Sequence, residues 1–259
     1  MSKADFFRVH RTVHRTSAGL VDLPILYEDA SNVLALFEAD LRGATALLES
    51  TGLEPGIVQG NRALVGLSFY EYRRTTVGAY NEVGTAILAR RPGERGLLPG
   101  LAELLVEPRR RHVGAWVVDL PVTTEAADAA GRELWGYPKF VTPIDFALVG
   151  RSFRSVVHDP GGGPPICEIA GSMGPGVPVP ALSVLTFSRL GDALVRTPID
   201  VRAPTRAHAR GDVTLHVGSS SHRMAAHLRT LGVDGARPKA LLVTARLQAL
   251  LHAGSRARG

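Results

Sequence analysis

Cysteine is nearly missing from this 259-residue chain: Cys167 stands alone, which excludes an intramolecular disulfide and any zinc site built on two sulfurs. A reducing compartment, by default the cytoplasm, is therefore expected. Aromatic residues make up only 6%, too few for the interleaved basic and aromatic side chains of a nucleic-acid platform. The net charge of +6, with its run Arg109-Arg110-Arg111 and its pair Arg256 and Arg258, is read as a solvated face, and no nucleic-acid partner is expected. Long apolar runs are missing too. The longest uncharged stretch, Ile169 to Ser188, is broken by Gly171, Gly174, Pro175, Gly176, Pro178 and Pro180, which excludes a helical membrane span. The basic residues Lys3, Arg8, Arg11 and Arg15 precede no apolar segment of signal length, so neither export nor a membrane partner is expected. Lysine is the scarcest charged residue: of thirty basic side chains, only Lys3, Lys139 and Lys239 are not arginine. Lysine can lose its proton and act as a nucleophile where arginine cannot, so each of the three needs an explanation.

With 45% hydrophobic residues the chain can bury a sizeable core, and 28 glycines with 17 prolines, spread without a period, predict many short elements joined by turns. Strand-like runs cover Asn32–Phe37, Ala63–Arg73, Glu82–Arg90, His112–Leu120, Phe140–Val149, Ser152–His158, Ile166–Ser172, Leu182–Arg189, Ala193–Arg202, Val213–Val217 and Ala240–Leu247. Helical spacing appears over Ala39–Glu49, Thr124–Leu134 and Ser221–Leu231. Strands often follow one another directly, which argues against a doubly wound fold. The expected class is β-rich α+β: a largely antiparallel, barrel-like sheet system with a few short covering helices. Residues 26–252 are expected to form one domain, between a basic arm at 1–25 and a tail at 253–259.

The most informative segment is Gly131-Arg132-Glu133-Leu134-Trp135-Gly136-Tyr137-Pro138-Lys139-Phe140-Val141, which sets a lysine just after a helix, at the start of an apolar strand. Pointing inward, Lys139 would lose water, which disfavours its ammonium form and leaves amine free to attack a ketone. A lysine whose stem snorkels at a strand end suits the same pattern. The segment resembles the active-site lysine stretch of the acetoacetate decarboxylase family. Three further segments agree in order: Gly78-Ala79-Tyr80-Asn81-Glu82, Pro165-Ile166-Cys167-Glu168-Ile169 and Ser219-Ser220-Ser221-His222. The resemblance spans about Leu26 to Leu250. It implies that Lys139 is a Schiff-base lysine, that Glu82 is an active-site glutamate, and that the protein is a homo-oligomer.

The sequence also departs from the family pattern. Phe140 stands where the decarboxylases carry a second lysine. Leu67 stands where they carry a second glutamate, and Glu71, of the same strand parity, lies about 13 Å further along. The segment Glu28-Asp29-Ala30-Ser31-Asn32 offers no arginine for a substrate carboxylate. Tyr80, Tyr137, Glu71 and Phe140 are taken as candidate substrate contacts. His10 and His14 lack a third metal ligand, and Ser219–His222 lacks a nucleophile elbow, so neither a metal site nor a serine triad is expected. The implied function is a Schiff-base lyase acting on a small keto acid, most simply a decarboxylase, with no cofactor because the iminium is the electron sink. Aldol condensation with dehydration by the same lysine, or a barrel that binds a small ligand without turnover, are the alternatives.

Overall fold

The computed structural model describes residues 6–209 and 211–256; Lys3 and Arg258 lie outside them. In chain order the strands are β1 (Thr12–Thr16), β2 (Gly19–Leu23), β3 (Ile25–Asp40), β4 (Glu54–Pro55), β5 (Val58–Gln59), β6 (Arg62–Thr75), β7 (Tyr80–Arg90), β8 (Gly114–Val122), β9 (Lys139–Val141), β10 (Ile144–Val149), β11 (Ser152–Val157), β12 (Cys167–Ser172), β13 (Gly176–Val179), β14 (Val184–Leu190), β15 (Ala193–Arg202), β16 (Thr205–His208), β17 (Thr214–Val217), β18 (Ala240–Leu251) and β19 (Ser255–Arg256). The helices are α1 (Leu41–Leu48), α2 (Glu125–Trp135) and α3 (Arg223–Thr230), with a 3₁₀ turn over Gly100–Leu105.

Seven strands close on themselves in the order β18-β3-β6-β7-β8-β14-β15, with β15 pairing back to β18. Every step is antiparallel except β8 to β14. A second antiparallel sheet, β10-β11-β12-β17, packs outside this barrel. The expected fold class is therefore observed. The largest apolar core lies between the two layers: Phe37, Leu67, Phe69 and Ile87 from outward-facing barrel positions meet Phe153, Ile169, Leu215 and Met224. A second cluster containing Val21, Leu23, Tyr27, Tyr72, Tyr80, Trp135 and Tyr137 lies at one end of the barrel, and a third with Leu36, Leu64, Leu88 and Val113 at the other.

Local chemistry fixes the covering elements. The Asp40 carboxylate caps α1 by accepting from the Gly43 N–H at 2.9 Å, and Thr124 caps α2. Gly136 ends α2 at φ 67°, where a Cβ would lie 1.9 Å from the Arg189 carbonyl oxygen, so only glycine fits. Asp119, fully buried on β8, accepts from His227 Nδ1 at 2.8 Å and tethers α3.

Most of the expected strands and helices are observed, although β3 is much longer than Asn32–Phe37 and β4, β5, β13 and β16 fall outside the expected runs; three further differences follow. Thr12–Leu23, expected to be a basic arm, forms a hairpin that buries Val21 and Leu23. Phe140–Val149, expected as one strand, breaks between β9 and β10, where Thr142 Oγ1 donates to the His158 carbonyl at 2.7 Å. Part of the tail pairs with β15 through β19.

Candidate active site

Side chains alternate across a strand, so one parity of each barrel strand faces inward. Gly66, Ser68, Tyr70 and Tyr72 of β6, with Glu82, Gly84, Ala86 and Leu88 of β7, line an internal cavity of about 170 Å³. Lys139 joins them from β9, which runs parallel to β8 with Lys139 opposite Leu120. The Lys139 ammonium donates to Glu82 Oε2 at 2.6 Å, and the two side chains are only 6% and 9% exposed. The other Glu82 oxygen accepts from the Tyr72 hydroxyl at 3.4 Å. Lys139 Nζ also lies 5.7 Å from the Tyr80 ring centroid. Two motifs 57 residues apart in sequence thus become one ion pair, shielded from water at the edge of an apolar chamber.

All five tyrosines of the chain surround this pair. Tyr27, Tyr70, Tyr72 and Tyr80 form a chain of ring contacts with centroids 4.5 to 5.0 Å apart. The hydroxyls of Tyr27 and Tyr80 lie 3.2 Å apart, and Tyr137 hydrogen-bonds Thr186 Oγ1 at 2.7 Å. Burial pushes Tyr70 and Tyr137 up to about 12, and Tyr27, Tyr72 and Tyr80 well above their ordinary value, with the Glu82 carboxylate adding to each shift. At neutral pH they are hydroxyl donors. An amine beside a carboxylate, shielded from water and faced by phenol donors, holds the groups needed to form and hydrolyse an imine.

Lys139, Glu82 and Tyr137 line the chamber, and Tyr80 packs directly behind Tyr27 and Tyr72. Glu71 does not: its parity is the outward one of Leu67 and Phe69, and its carboxylate pairs with Arg73 at 2.6 Å on the surface. Phe140 also faces away, because it follows an inward Lys139 on the same strand; its ring lies 4.4 Å from that of His222. Ser220 donates to Asp159 and His222 caps α3, so the Ser219–His222 run shapes a loop. Among the described residues His14 bonds Thr12 alone, and no group of three or more metal-ligating side chains occurs.

Sequence reasoning missed Tyr27, Tyr70, Tyr72 and Arg111. The pattern Tyr70-x-Tyr72 on one strand face was the available signal for two of them. Arg111 belongs to a run read as solvated, yet it is 2% exposed and lines the cavity, while Arg109 pairs with Asp200 at the surface. Its Nη atoms donate to the carbonyls of Leu104 and Ser183 at 2.9 Å each, and Nε has no partner among the described residues. Desolvation lowers Arg111 to about 10, so it is charged at neutral pH.

A closed barrel that buries a lysine–glutamate pair at one end of an apolar chamber defines the class of this protein. The chain belongs to the acetoacetate decarboxylase family, whose model matches residues 11–196. Among curated protein sequences, none matches. Its fold is similar to the acetoacetate decarboxylase of Legionella pneumophila (TM-score 0.67, 16% identity, 97% of this chain and 92% of that one). It is also similar to the enduracididine biosynthesis enzyme MppR complexed with pyruvate (TM-score 0.63, 13% identity, 93% of both chains). An acetoacetate decarboxylase-like enzyme from Sphingomonas wittichii is similar as well (TM-score 0.63, 14% identity, 92% and 95%). No helix among the described residues is long and apolar enough to cross a membrane.

Proposed function

We propose that the protein is a Schiff-base lyase in which Lys139 attacks the carbonyl carbon of a keto acid. The observation that carries this reading is the buried Lys139–Glu82 contact at 2.6 Å. Glu82 takes the ammonium proton, freeing the amine lone pair, and returns it when the carbinolamine oxygen leaves as water. Where the carboxylate sits on the carbon next to the iminium carbon, as in acetoacetate, the carbon–carboxylate bond breaks and its electron pair moves into the iminium, giving an enamine and carbon dioxide. Protonation of the enamine carbon and hydrolysis release the ketone and regenerate the lysine. The apolar wall favours loss of the carboxylate's charge, because carbon dioxide needs no solvation.

A second reading uses the same iminium for aldol condensation and dehydration. Two observations favour it. Apart from Lys139, the one basic side chain lining the cavity among the described residues is Arg111, at its far end, so among those residues no cation beside the pair holds a carboxylate. The tyrosine hydroxyls next to Glu82 are placed to protonate a departing hydroxide. In addition, a structure of MppR, similar in fold, contains a condensation product of pyruvate and imidazole 4-carboxaldehyde.

Borohydride reduction in the presence of acetoacetate, pyruvate and related keto acids, followed by intact mass and peptide mapping, tests both readings. A reduced adduct on Lys139 is expected, and its mass reports whether carbon dioxide has left. No adduct from folded protein leaves the non-catalytic barrel. A cytoplasmic homo-oligomer belongs to the same proposal, and sedimentation of the purified protein checks the assembly.

A further inference from the structure

The chamber extends well past the lysine. Glu82 and Leu88, six residues apart on β7, both line it, so it follows about 20 Å of strand. The Glu82 end belongs to the tyrosine cluster, and the Leu88 end to the opposite cluster with Leu36 and Val113. Between them the wall is apolar: Leu34, Ala86, Val117, Leu120 and Leu247 face it. Gly66 and Gly84 supply no side chain to fill it, and a Cβ at Gly84 would sit 3.2 Å from Leu120. Its volume exceeds the roughly 150 Å³ that holds benzene, more than acetoacetate or pyruvate needs.

At the far end stands Arg111. Two of its five N–H donors are committed to carbonyls, and the unpartnered Nε leaves a buried polar atom unsatisfied. Its nearby counter-charge, Glu103, is occupied otherwise: its two oxygens accept from the backbone N–H groups of Leu98 and His112. A cation so placed, at the end of an apolar chamber, offers the charge complement of a carboxylate.

We infer that the chamber takes an elongated carbonyl compound, its carbonyl at Lys139, its apolar midsection along the barrel and a terminal carboxylate at Arg111. The carboxylate that Arg111 holds is then not the one next to the reacting carbon. This inference names the substrate class for the Schiff-base reading and rests on it.

The test compares four probes in borohydride trapping on the full chain: pyruvate, acetone, a twelve-carbon methyl ketone, and the twelve-carbon methyl ketone that ends in a carboxylate. The carboxylate-bearing ketone should be trapped on Lys139 with half-saturation about tenfold below that of the uncharged ketone of equal length, the effect of one charge-assisted hydrogen bond. In Arg111→Met, checked for folding by its melting curve, that tenfold preference should vanish, and in Arg111→Lys part of it should return. Equal half-saturation for the two long ketones in the native protein, or a preference that survives in Arg111→Met, overturns the inference. If Arg111→Met does not fold, the comparison in the native protein decides alone. Trapping of pyruvate without the long probes leaves the Schiff-base reading standing and this inference wrong. If nothing is trapped, calorimetric titration with the two long ketones separates the failures: tenfold tighter binding of the carboxylate-bearing probe upholds the chamber's selectivity while the Schiff-base reading falls, and its absence ends both.

Discussion

A Cβ on Gly131 would lie 2.3 Å from Cε of Lys139, so the last turns of α2 leave the exact space that the lysine stem occupies. The glycine belongs to the same segment as the lysine, and the helix it weakens is the wall against which that stem lies. Alanine is the better helix former by roughly 1 kcal/mol. Loosening the buried ion pair costs more than that helix gain returns, so Gly131→Ala should melt lower than the native protein while displacing Nζ from Glu82, and trapping of keto acids on Lys139 should fall about tenfold or more. Thermal melting and adduct mass measured on one sample check both halves. Undiminished trapping would show that the glycine is not what positions the lysine.

The ion pair itself predicts a coupling. Lys139→Met leaves the Glu82 carboxylate buried with only the Tyr72 hydroxyl as partner. Breaking one side of such a pair costs about 3–5 kcal/mol, whereas removing both charges costs much less. The double variant Lys139→Met/Glu82→Gln should therefore be more stable toward urea than Lys139→Met alone. Additive losses would mean that the two groups do not interact in solution.

How far the sequence revealed all this follows from the physics of each element. Strands of the barrel were legible because Ala63–Arg73 and Glu82–Arg90 carry runs of apolar residues bounded by turns. The hairpin at Thr12–Leu23 was not, since its alternation is interrupted by charged side chains and only Val21 and Leu23 are buried within it beside Thr16. Lys139 and Glu82 were legible through motif resemblance, and composition alone would not have paired them. Glu71 was misplaced because strand parity relative to a cavity depends on which face the barrel turns inward, and Leu67 and Glu71 share the outward face. Arg111 was hidden in a run of three arginines, where nothing local distinguishes the one that turns inside.

Cys167 offers a simple check of the outer core. It is buried between the sheets, and desolvation pushes its thiol up to about 12. A thiol that is neither ionised nor reachable does not react. Ellman's reagent at neutral pH should find no reactive thiol in the native protein and one per chain in denaturant. Prompt labelling of the native protein would contradict the packing between the layers.

The tyrosine cluster predicts how the protein behaves in alkali. Unfolded phenols ionise near 10, whereas in the folded state Tyr70 and Tyr137 are held up at about 12 and the other three are also well above their ordinary value. A group whose folded value lies above its unfolded one contributes stability fully below the unfolded value, and that contribution is lost as pH rises toward the folded value. The window for Tyr70 and Tyr137 is thus about pH 10 to 12. Absorbance of phenolate in the native protein should stay flat through pH 10 and then rise together with loss of the folded far-ultraviolet signal, all five tyrosines ionising at once. Urea midpoints should fall steadily over the same range. Because the phenols touch the Glu82 carboxylate's surroundings, Glu82→Gln should shift the onset of phenolate absorbance to lower pH, since the carboxylate adds to every one of the five shifts. A native titration with a midpoint near 10 would place the tyrosines in water and remove them from the site.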